Sequence, residues 1–516
     1  MIRSFILFFF LCLSSCQKGP ETSQTIVRLN LTKDPISLDP RKARDLDSIT
    51  LVRMLFEGLT RTSKEGVLEL ALASHVEVLN EGLQYVFHLR KSTWSNGDPL
   101  VAEDFVQSWK TILDPKFATD IAYQLYPIKN ARKAKLGEIS LDEIGIYAFD
   151  HQTLVVDLEQ PVPYFLELVS MTPFFPVHSK TAENPNWCLN STTLTCNGPF
   201  HLGLWKHSDQ LSFLKNSHYW EAHATQIDGV DFIIASADTA FRMFEEKKLD
   251  WVGSPLSTIP SDAIEYLKKT EQLQSSPFLG TYFFRINTAE MIGKKNNLLS
   301  DPSLRQALSF HLDRDSIVES ILQGGQAAAR TLVPPEMGLG CHLESLNAQK
   351  NFSLKSNPES LVISYMNNER NATIVQAVQK QWEDRLGIPV LLEAVESKIF
   401  FQKISQRDFQ IAAGCWIADF NDPINFLEVF KFKNEGTNNT GWENSEYIDL
   451  LNRSALCKSS EERIELLRKA EEILMNEMPI IPVFHYALNY MKQKELQGVV
   501  LSSTGQLDLR WASKSR

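Results

Sequence analysis

The sequence predicts a mixed α/β protein, because segments typical of strands and segments typical of helices alternate along its 516 residues. Stretches rich in β-branched and aromatic residues predict strands at 85–90, 153–158 and 360–365. Stretches with capping residues and apolar residues at helical spacing predict helices after Asp301 and from Ser460. The sequence has no repeat of fixed period.

Each predicted helix has a local signal at its start or end. Asp301 is a good N-cap and Pro302 fits the first turn, after which Leu304, Ala307 and Leu308 share one face. A further helix is predicted from about Asp315 to the glycine pair at 324–325. The helix from Ser460 has two glutamates in its first turn, and its apolar face comprises Ile464, Leu467, Ala470 and Leu474.

The first residues predict an exported protein. Arg3 precedes an apolar run from Phe5 to Leu13 that is too short to span a bilayer comfortably. The sequence Leu-Ser-Ser-Cys at 13–16 resembles the lipobox of bacterial lipoproteins, in which cleavage leaves a lipid-bearing cysteine. We therefore expect 1–15 to be a lipoprotein signal peptide and Cys16 to carry the lipid anchor. An ordinary signal peptide with an incidental cysteine is the alternative.

Composition excludes some classes of function. The chain is long enough for about two to four domains, and 43% of its residues are hydrophobic. The formal net charge is −11 and no basic stripe or arginine-rich arm is present, so a general nucleic-acid binder is not expected. No stretch after the signal is apolar for long enough to cross a membrane.

The cysteine pattern favours a disulfide over a metal site. Cys188 and Cys196 enclose a short loop-like segment, and disulfides persist outside the cytoplasm, so a bridge between them is a candidate. Their spacing does not match paired zinc ligands, and no matching second pair follows. With Cys341, Cys415 and Cys457 the mature chain has an odd number of such cysteines, so at least one stays free or pairs between molecules.

The sequence gives no positive case for catalysis. It lacks a glycine-rich phosphate loop, an H-E-x-x-H motif and a G-x-S-x-G motif. The S-x-x-K match at 212–215 has no partner motifs, and the histidines from His201 to His223 have no ligand-like spacing. We predict neither an enzyme nor a bound cofactor or metal.

The stretch CWIADFNDP at 415–423 contains the strongest candidate for a binding residue. Asp419 follows an apolar, strand-like segment and lies between two aromatic residues, Trp416 and Phe420. A carboxylate that leaves water needs a cation or several donors, and the nearest basic residues in sequence are Arg407 and Lys431. Either a distant part of the fold or a ligand therefore supplies the positive charge. Asp422 fits a turn that supports the loop.

Residues 68–109 carry the most diagnostic motifs: a strand, then H-L-R-K, W-S-N-G and A-E-D-F-V-x-S-W. They closely resemble the signature of extracellular solute-binding proteins of ABC transporters, in the oligopeptide- and dipeptide-binding family. Ordered matches continue over essentially the whole mature chain: S-L-D-P at 37–40, L-F-E-G-L at 55–59, N-G-P-F at 197–200, N-x-x-Y-W at 216–220, D-P-x-L-R at 301–305 and L-D-R-D at 312–315.

The resemblance implies an α/β, two-lobed periplasmic-binding-protein-like fold with an additional subdomain and a hinge that closes around ligand. Carried over to this chain, it implies that lobe I is assembled from 17–57, 179–282 and 486–516. Residues 58–178 would form the additional subdomain, and 283–485 would form lobe II.

The resemblance also implies ligand-binding residues. The matching aspartate in oligopeptide binders meets the ligand's α-ammonium group, and we expect Asp419 to do so here. The segment Gly414, Cys415, Trp416 and Ile417 resembles the one whose main chain pairs with the peptide, with Trp416 as a pocket wall. Asp34 and Ile36 are expected at the other side of the cleft.

The sequence departs from close relatives at three further positions of the expected site. Ile121 replaces a site tyrosine, although Tyr123 is nearby. Arg285 stands where relatives have an acidic residue, and this reversal should favour acidic ligand side chains if Arg285 points into the cleft. Ala413 replaces a basic residue that helps to hold ligand C-termini, and Lys403 or Arg407 could substitute for it.

The predicted function is that of a lipid-anchored, monomeric binding subunit that captures oligopeptides outside the cytoplasm. Its partners would be ABC permease subunits with cytoplasmic ATPases, and no nucleic acid. Two alternatives remain open: a binder of murein-derived peptides, and a surface interaction or signalling protein that keeps the fold without transport.

Overall fold

The computed structural model describes residues 24–340, 359–434, 437–457 and 459–515. Helices and strands alternate along them, which confirms the predicted α/β class. The signal segment, Cys16 and Cys341 lie outside the described residues. The α-helices are α1 Leu46–Leu55, α2 Ala102–Leu113, α3 Ala131–Lys135, α4 Phe165–Leu168, α5 Ala237–Glu245, α6 Ile264–Lys269, α7 Pro302–Phe310, α8 Arg314–Ser316, α9 Glu369–Leu386, α10 Ser397–Gln406, α11 Ile424–Leu427, α12 Ser445–Leu456 and α13 Ser460–Glu477.

The strands include those predicted at 85–90, 153–158 and 360–365. In chain order they are β1 Ile26–Leu31, β2 Thr60–Thr62, β3 Leu68–Leu70, β4 Ala73–Leu79, β5 Gln84–Leu89, β6 Ile146–Asp150, β7 Thr153–Asp157, β8 Phe200–Lys206, β9 Gln210–Lys215, β10 Gly229–Ile234, β11 Trp251–Gly253, β12 Gln274–Ile286, β13 Met291–Ile292, β14 Lys295–Asn296, β15 Ala327–Ala328, β16 Leu361–Met366, β17 Val390–Val395, β18 Ile411–Ile417, β19 Ile480–Lys492, β20 Leu496–Gln497, β21 Val500–Leu501, β22 Leu507–Asp508 and β23 Ser513–Lys514.

The predicted helix signals are confirmed at their starts. Asp301 caps α7, because its carboxylate accepts a hydrogen bond of 2.9 Å from the N–H of Ser303. Ser459 caps α13 through a bond of 3.3 Å from the N–H of Glu462. The helix expected from Asp315 consists of α8 followed by a π-helical turn at Ile317–Leu322, so its hydrogen-bonding pattern differs from a regular α-helix.

Three sheets form the framework. One has the order β1-β10-β9-β8, with β1 and β10 parallel, and a second is antiparallel with the order β4-β5-β7-β6. The seven-stranded sheet has the order β11-β19-β12-β18-β16-β17, and β15 pairs with β19. The first two sheets share one large apolar core.

The seven-stranded sheet is covered on both faces. Tyr282, Phe284 and Ala413 face a core that includes the apolar side of α9. Phe283 faces a different core, which contains the apolar residues of α11, α12 and α13. Because successive residues of a strand point to opposite faces, β12 and β18 each contribute to both cores. This arrangement fixes which side chains of β18 share a face.

Two long strands cross the region where the sequence predicted the lobes to meet. Strands β12 and β19 pair antiparallel from Gln274↔Tyr490 to Arg285↔Ile480, and their register shifts between Pro277 and Thr281. The predicted limits at 282/283 and 485/486 fall inside these two strands. The assignment of the three segments to lobe I, of 58–178 to a subdomain and of 283–485 to lobe II stays a prediction.

Candidate functional site

Asp419 lies just beyond the end of β18, in the wall of a cavity of about 550 Å³. Helix α1 contributes Leu46, Ile49 and Arg53 to this wall, which are the residues that share one face at helical spacing. The residues just before this helix, Ala43 and Arg44, also line the cavity, and segments distant in sequence supply the rest: 120–121, 123–124, 171–173, Phe278, Ile417, Ala418, Thr504 and Gln506. The cavity is therefore lined by parts of the chain that the sequence assigned to different lobes.

The carboxylate of Asp419 has no cationic partner within ion-pair distance among the described residues. From those residues it accepts a side-chain hydrogen bond of 3.5 Å, which the hydroxyl of Tyr123 donates to Oδ2. Burial raises the pKa of Asp419, and the Tyr123 hydroxyl opposes that rise. Burial and the neighbouring Asp419 raise the pKa of Tyr123 to about 12, so the hydroxyl keeps its proton and donates at neutral pH.

The loop that carries Asp419 is held firmly. The side-chain oxygen of Asn425 accepts hydrogen bonds from Trp416 Nε1, at 2.9 Å, and from the N–H of Asp419, at 3.3 Å. Asp422 forms two bonds of 2.8 Å with Arg463, which fulfils its predicted supporting role. Phe420 stacks on Tyr164 with ring centroids 4.9 Å apart. These contacts fix the position of the carboxylate in the cavity wall.

One edge of β18 is open next to Asp419. Strand β12 pairs with β18 along its whole length, from Ile411 to Ile417. On the other side, β16 pairs with β18 only at Ile411 and Ala412. Among the described residues no strand pairs with that edge between Ala413 and Ile417, and such an edge offers backbone groups to an added strand.

The backbone groups on this open edge can be assigned. The N–H of Ala418 donates to the carbonyl of Leu279 on β12, at 2.7 Å. In an antiparallel pair, residues alternate between the two edges of a strand, so Ile417 and Cys415 direct their N–H and C=O groups away from β12. They therefore point toward the open edge. The Cys415 side chain itself is exposed and its thiol is free.

Arg285 is a half-buried cation that has no acidic partner within ion-pair distance among the described residues. It lies on β12 opposite Ala412, and its guanidinium lies 4.9 Å from the centroid of the Phe283 ring. No ion pair or hydrogen bond links it to another described residue, and its Nε is buried without a partner. Burial lowers its pKa.

Asp34 and Ile36 do not line the cavity that contains Asp419. Asp34 accepts hydrogen bonds from Trp205 Nε1, at 2.9 Å, and from the N–H of Ser208, at 2.8 Å, so its oxygens already have donors. Ile36 has a 59% exposed side chain, and its N–H donates to Ser48. A ligand-binding role for these two residues stays a prediction.

The two basic residues that could have replaced the missing cation at Ala413 are engaged elsewhere. Lys403 donates to both carboxylate oxygens of Glu393, at 2.7 and 2.9 Å. Arg407 donates to the carbonyl of Lys433. Ala413 itself is buried in the core beside α9.

The bridge expected between Cys188 and Cys196 is wrong, because both cysteines are free and buried. The thiol of Cys196 donates to the carbonyl of Phe200 at 3.3 Å, and its backbone N–H is held by Ser95. The segment between the two cysteines is irregular, as the sequence suggested, but these contacts fix Cys196 inside the core. Burial raises the pKa of Cys188 to about 11 and that of Cys196 to about 12.

Sequence reasoning missed the residues that α1 contributes to the cavity. Arg53 is one of them, and it donates a hydrogen bond of 2.8 Å to the carbonyl of Ser170. A charged residue within the largely apolar run of α1 was the available signal. The part of the chain that the structure describes contains no cluster of side chains suited to a metal ion. It also contains no helix long and apolar enough to span a bilayer.

Known proteins that are similar to this chain show which family it resembles. Residues 67–438 match the model of the family described as bacterial extracellular solute-binding proteins, family 5. The chain is 36% identical to the oligopeptide-binding protein OppA of Bacillus subtilis, over 99% of this chain and 98% of that protein. It is 28% identical to the periplasmic murein peptide-binding protein MppA of Escherichia coli, over 93% and 91% of the two chains.

Solved structures give the same result. The unliganded open form of the murein tripeptide-binding protein MppA matches with a TM-score of 0.82 at 25% identity, over 95% of this chain and 98% of that chain. The Haemophilus influenzae OppA complex with the peptide RPPGFSPFR matches with a TM-score of 0.76 at 26% identity, over 95% and 99%.

Proposed function

Since the chain belongs to family 5 of the bacterial extracellular solute-binding proteins, we propose that it captures oligopeptides and delivers them to an ABC permease. The family resemblance noted from the sequence motifs is confirmed, and so is the two-lobed periplasmic-binding-protein-like fold. The relatives named as oligopeptide-binding proteins support peptides as the ligand class.

The uncompensated carboxylate of Asp419 carries the proposal for how the ligand is held. A half-buried carboxylate without a cation has lost part of its hydration without compensation, so a residue of this kind is well suited to a cationic ligand group. The cavity beside Asp419 has room for such a group. Every peptide with a free N-terminus supplies an ammonium, and Asp419 would bind it.

The open edge of β18 would bind the peptide's main chain. An ammonium at Asp419 lies beyond the C-terminal end of β18, so a peptide that continues along the open edge runs antiparallel to the strand. Its first residue would face Ile417, whose backbone groups point outward. Strand addition uses groups that all peptides share, so it provides affinity without strong dependence on sequence.

The membrane anchor is part of the proposal. The lipobox-like segment at 13–16 would place a lipid on Cys16 and so keep the binding protein near a permease. Lipid chains contribute about 0.8 kcal/mol per buried CH₂ group, and several chains on one residue give stable attachment.

Murein-derived peptides are a second candidate ligand class. The similarity to the murein peptide-binding protein of Escherichia coli favours them. Such peptides carry D-Glu and other acidic groups, which the unpaired guanidinium of Arg285 would suit.

The experiment is to produce the mature protein in a bacterial envelope, purify it without denaturation and identify released ligands by mass spectrometry. The Asp419→Asn variant serves as the matched sample. We expect free-amine peptides from the wild type and much less peptide from the variant. Peptides with masses of murein fragments would select the second class. Recovery of non-peptide solutes with no peptide would contradict the proposal. Loss of peptide uptake in a deletion strain would separate transport from a signalling role.

A further inference from the structure

Arg285 is a cation without an acidic neighbour among the described residues, so no ion pair explains why a charged side chain lies at this position. An arginine is charged at any physiological pH, and a buried charge is normally paired. Among the residues that the structure describes, no acid lies within ion-pair distance of this guanidinium, and the enclosed Nε has no acceptor. The guanidinium instead packs against the face of Phe283, a favourable but non-acidic neighbour. The guanidinium is therefore free to bind an anionic group of a ligand.

Gly414 shows where the guanidinium lies. Arg285 faces Ala412 across the β12–β18 ladder, and Gly414 is the next residue of β18 on that face, opposite Phe283. A Cβ built on Gly414 would lie 2.9 Å from Cζ of Arg285 and still closer to its Nη1. The arginine side chain thus leaves β12 and occupies the space above Gly414, which is available because glycine has no side chain.

The position above Gly414 adjoins the open edge of β18. Strand β12 lies on one side of Gly414, and the other side is unpaired from Ala413 to Ile417. Neighbouring strands lie about 4.8 Å apart, so a peptide on this edge would have its own backbone one strand spacing from Gly414. A ligand side chain on the same face would then reach the guanidinium.

The register identifies the ligand residue. In the proposed binding mode the peptide runs antiparallel to β18, with its first residue facing Ile417. Residues that face each other across a ladder place their side chains on the same side of the sheet. The second and fourth ligand residues therefore share the face of Trp416 and Gly414, and the fourth faces Gly414 directly.

We propose that Arg285 reaches across Gly414 to bind a carboxylate of the ligand at its fourth residue. This inference rests on the proposed peptide-binding function and adds a position-specific preference to it. The carboxylate has two possible sources with the same chemistry: an acidic side chain at position four of a longer peptide, or the terminal carboxylate of a tetrapeptide. In either case the bound anion would supply the acceptor that Nε and the other guanidinium nitrogens lack.

The test measures affinities of alanine hexapeptides by calorimetry. Glu and Gln are compared at position four and, as a control for the opposite face, at position three. For wild type we expect Glu to bind at least about tenfold more tightly than Gln at position four, and the two to bind equally at position three. In Arg285→Gln the ratio at position four should fall to about one. Arg453→Gln, which removes one charge from the exposed surface of α12, should leave it unchanged.

Two further arms complete the experiment. Gly414→Ala leaves the charge of Arg285 in place, but the added methyl group occupies the space of its guanidinium. The Glu/Gln affinity ratio at position four should therefore be smaller in this variant than in wild type. The terminal carboxylate is tested with a tetrapeptide whose C-terminus is either free or amidated, titrated into wild type and Arg285→Gln. If the affinity ratio of acid to amide depends on Arg285 and the Glu/Gln ratio at position four does not, the bound carboxylate is the terminal one.

If neither the Glu/Gln ratio nor the acid/amide ratio depends on Arg285, the inference is wrong and the guanidinium is structural. Thermal unfolding of each variant in the absence of peptide checks that it is folded. The alanine hexapeptide without any acidic side chain separates the two claims. Its failure to bind wild type would contradict the proposed function, whereas its binding combined with equal ratios would contradict only the role of Arg285.

Discussion

The hydroxyl of Tyr123 donates a hydrogen bond to Oδ2 of Asp419 across 3.5 Å. Among the described residues, no other side chain donates a hydrogen bond to that carboxylate. A bond of this length is weak. The carboxylate therefore keeps most of its capacity to accept hydrogen bonds from a ligand.

Tyr123→Phe should weaken peptide binding only modestly, by less than about tenfold. The Tyr123 hydroxyl lowers the pKa of Asp419, so its removal should also raise that pKa. Peptide binding requires the ionised carboxylate and should be lost at a higher pH in the variant than in wild type. Calorimetry between pH 4 and pH 7.5 would measure both effects, and an unchanged pH profile would mean that the two groups do not interact in solution.

Asp419→Asn should stabilise the ligand-free protein at neutral pH. Burial raises the pKa of Asp419, so the unfolded chain releases this proton at lower pH than the folded chain does. Ionisation therefore costs stability as pH rises above the ordinary carboxyl pKa of about 3.9 and through the raised pKa of the folded protein. We expect the melting temperature of the variant to exceed that of wild type by on the order of 1–2 °C at pH 7.5.

The same comparison near pH 4 gives the control. The difference in melting temperature between the variant and wild type should be smaller there, because the wild-type carboxyl becomes protonated. Asp449→Asn, at an exposed position of α12, should show no such stabilisation. A variant less stable than wild type at neutral pH would indicate a structural partner for Asp419.

Asn425→Ala should reduce both stability and affinity. Its side-chain oxygen accepts from Trp416 Nε1 and from the N–H of Asp419, so truncation leaves two donors without an acceptor. Each such loss costs about 1–3 kcal/mol where the group is buried. Chemical denaturation and peptide titration would measure the two effects, with the exposed Asn452→Ala on α12 as control. Full affinity in the variant would show that this bond does not position the loop.

Cys16→Ser tests the anchor, which lies outside the described residues. The variant should be released from membranes or remain unprocessed, as seen by fractionation and by the mass of the mature protein. A variant that is cleaved normally and still sediments with membranes would contradict lipidation at Cys16.

Much of the framework could be predicted because its signals are local. The strands at 85–90 and 153–158 and the cap of α7 by Asp301 depend on neighbouring residues, and the structure has them there. The loop at 415–423 was also predictable in outline, since a carboxylate between an apolar strand and aromatic residues is unusual. The structure places Asp419 in a cavity wall and Asp422 on Arg463.

The rest depended on contacts between distant segments. The space above Gly414 is filled by Arg285 from another strand, and the open edge of β18 exists because pairing with β16 ends at Ala412. Neither fact has a local signal in sequence. The disulfide prediction failed for the same reason: the loop between the two cysteines is present, but Ser95 and Phe200 hold Cys196 in the core.

The most direct test of the account is a double comparison at Asp419. Peptides with a free or an acetylated N-terminus are titrated into wild type and Asp419→Asn. Removing one partner of a shielded ion pair costs about 3–5 kcal/mol, which corresponds to roughly a hundredfold to several-thousandfold in affinity. We expect either change alone to weaken binding by a factor in this range, and both together to cost clearly less than their sum, because each removes the same contact. Additive losses, or an acetylated peptide that binds wild type as tightly as its free-amine parent, would contradict the claim that Asp419 binds the peptide's ammonium group.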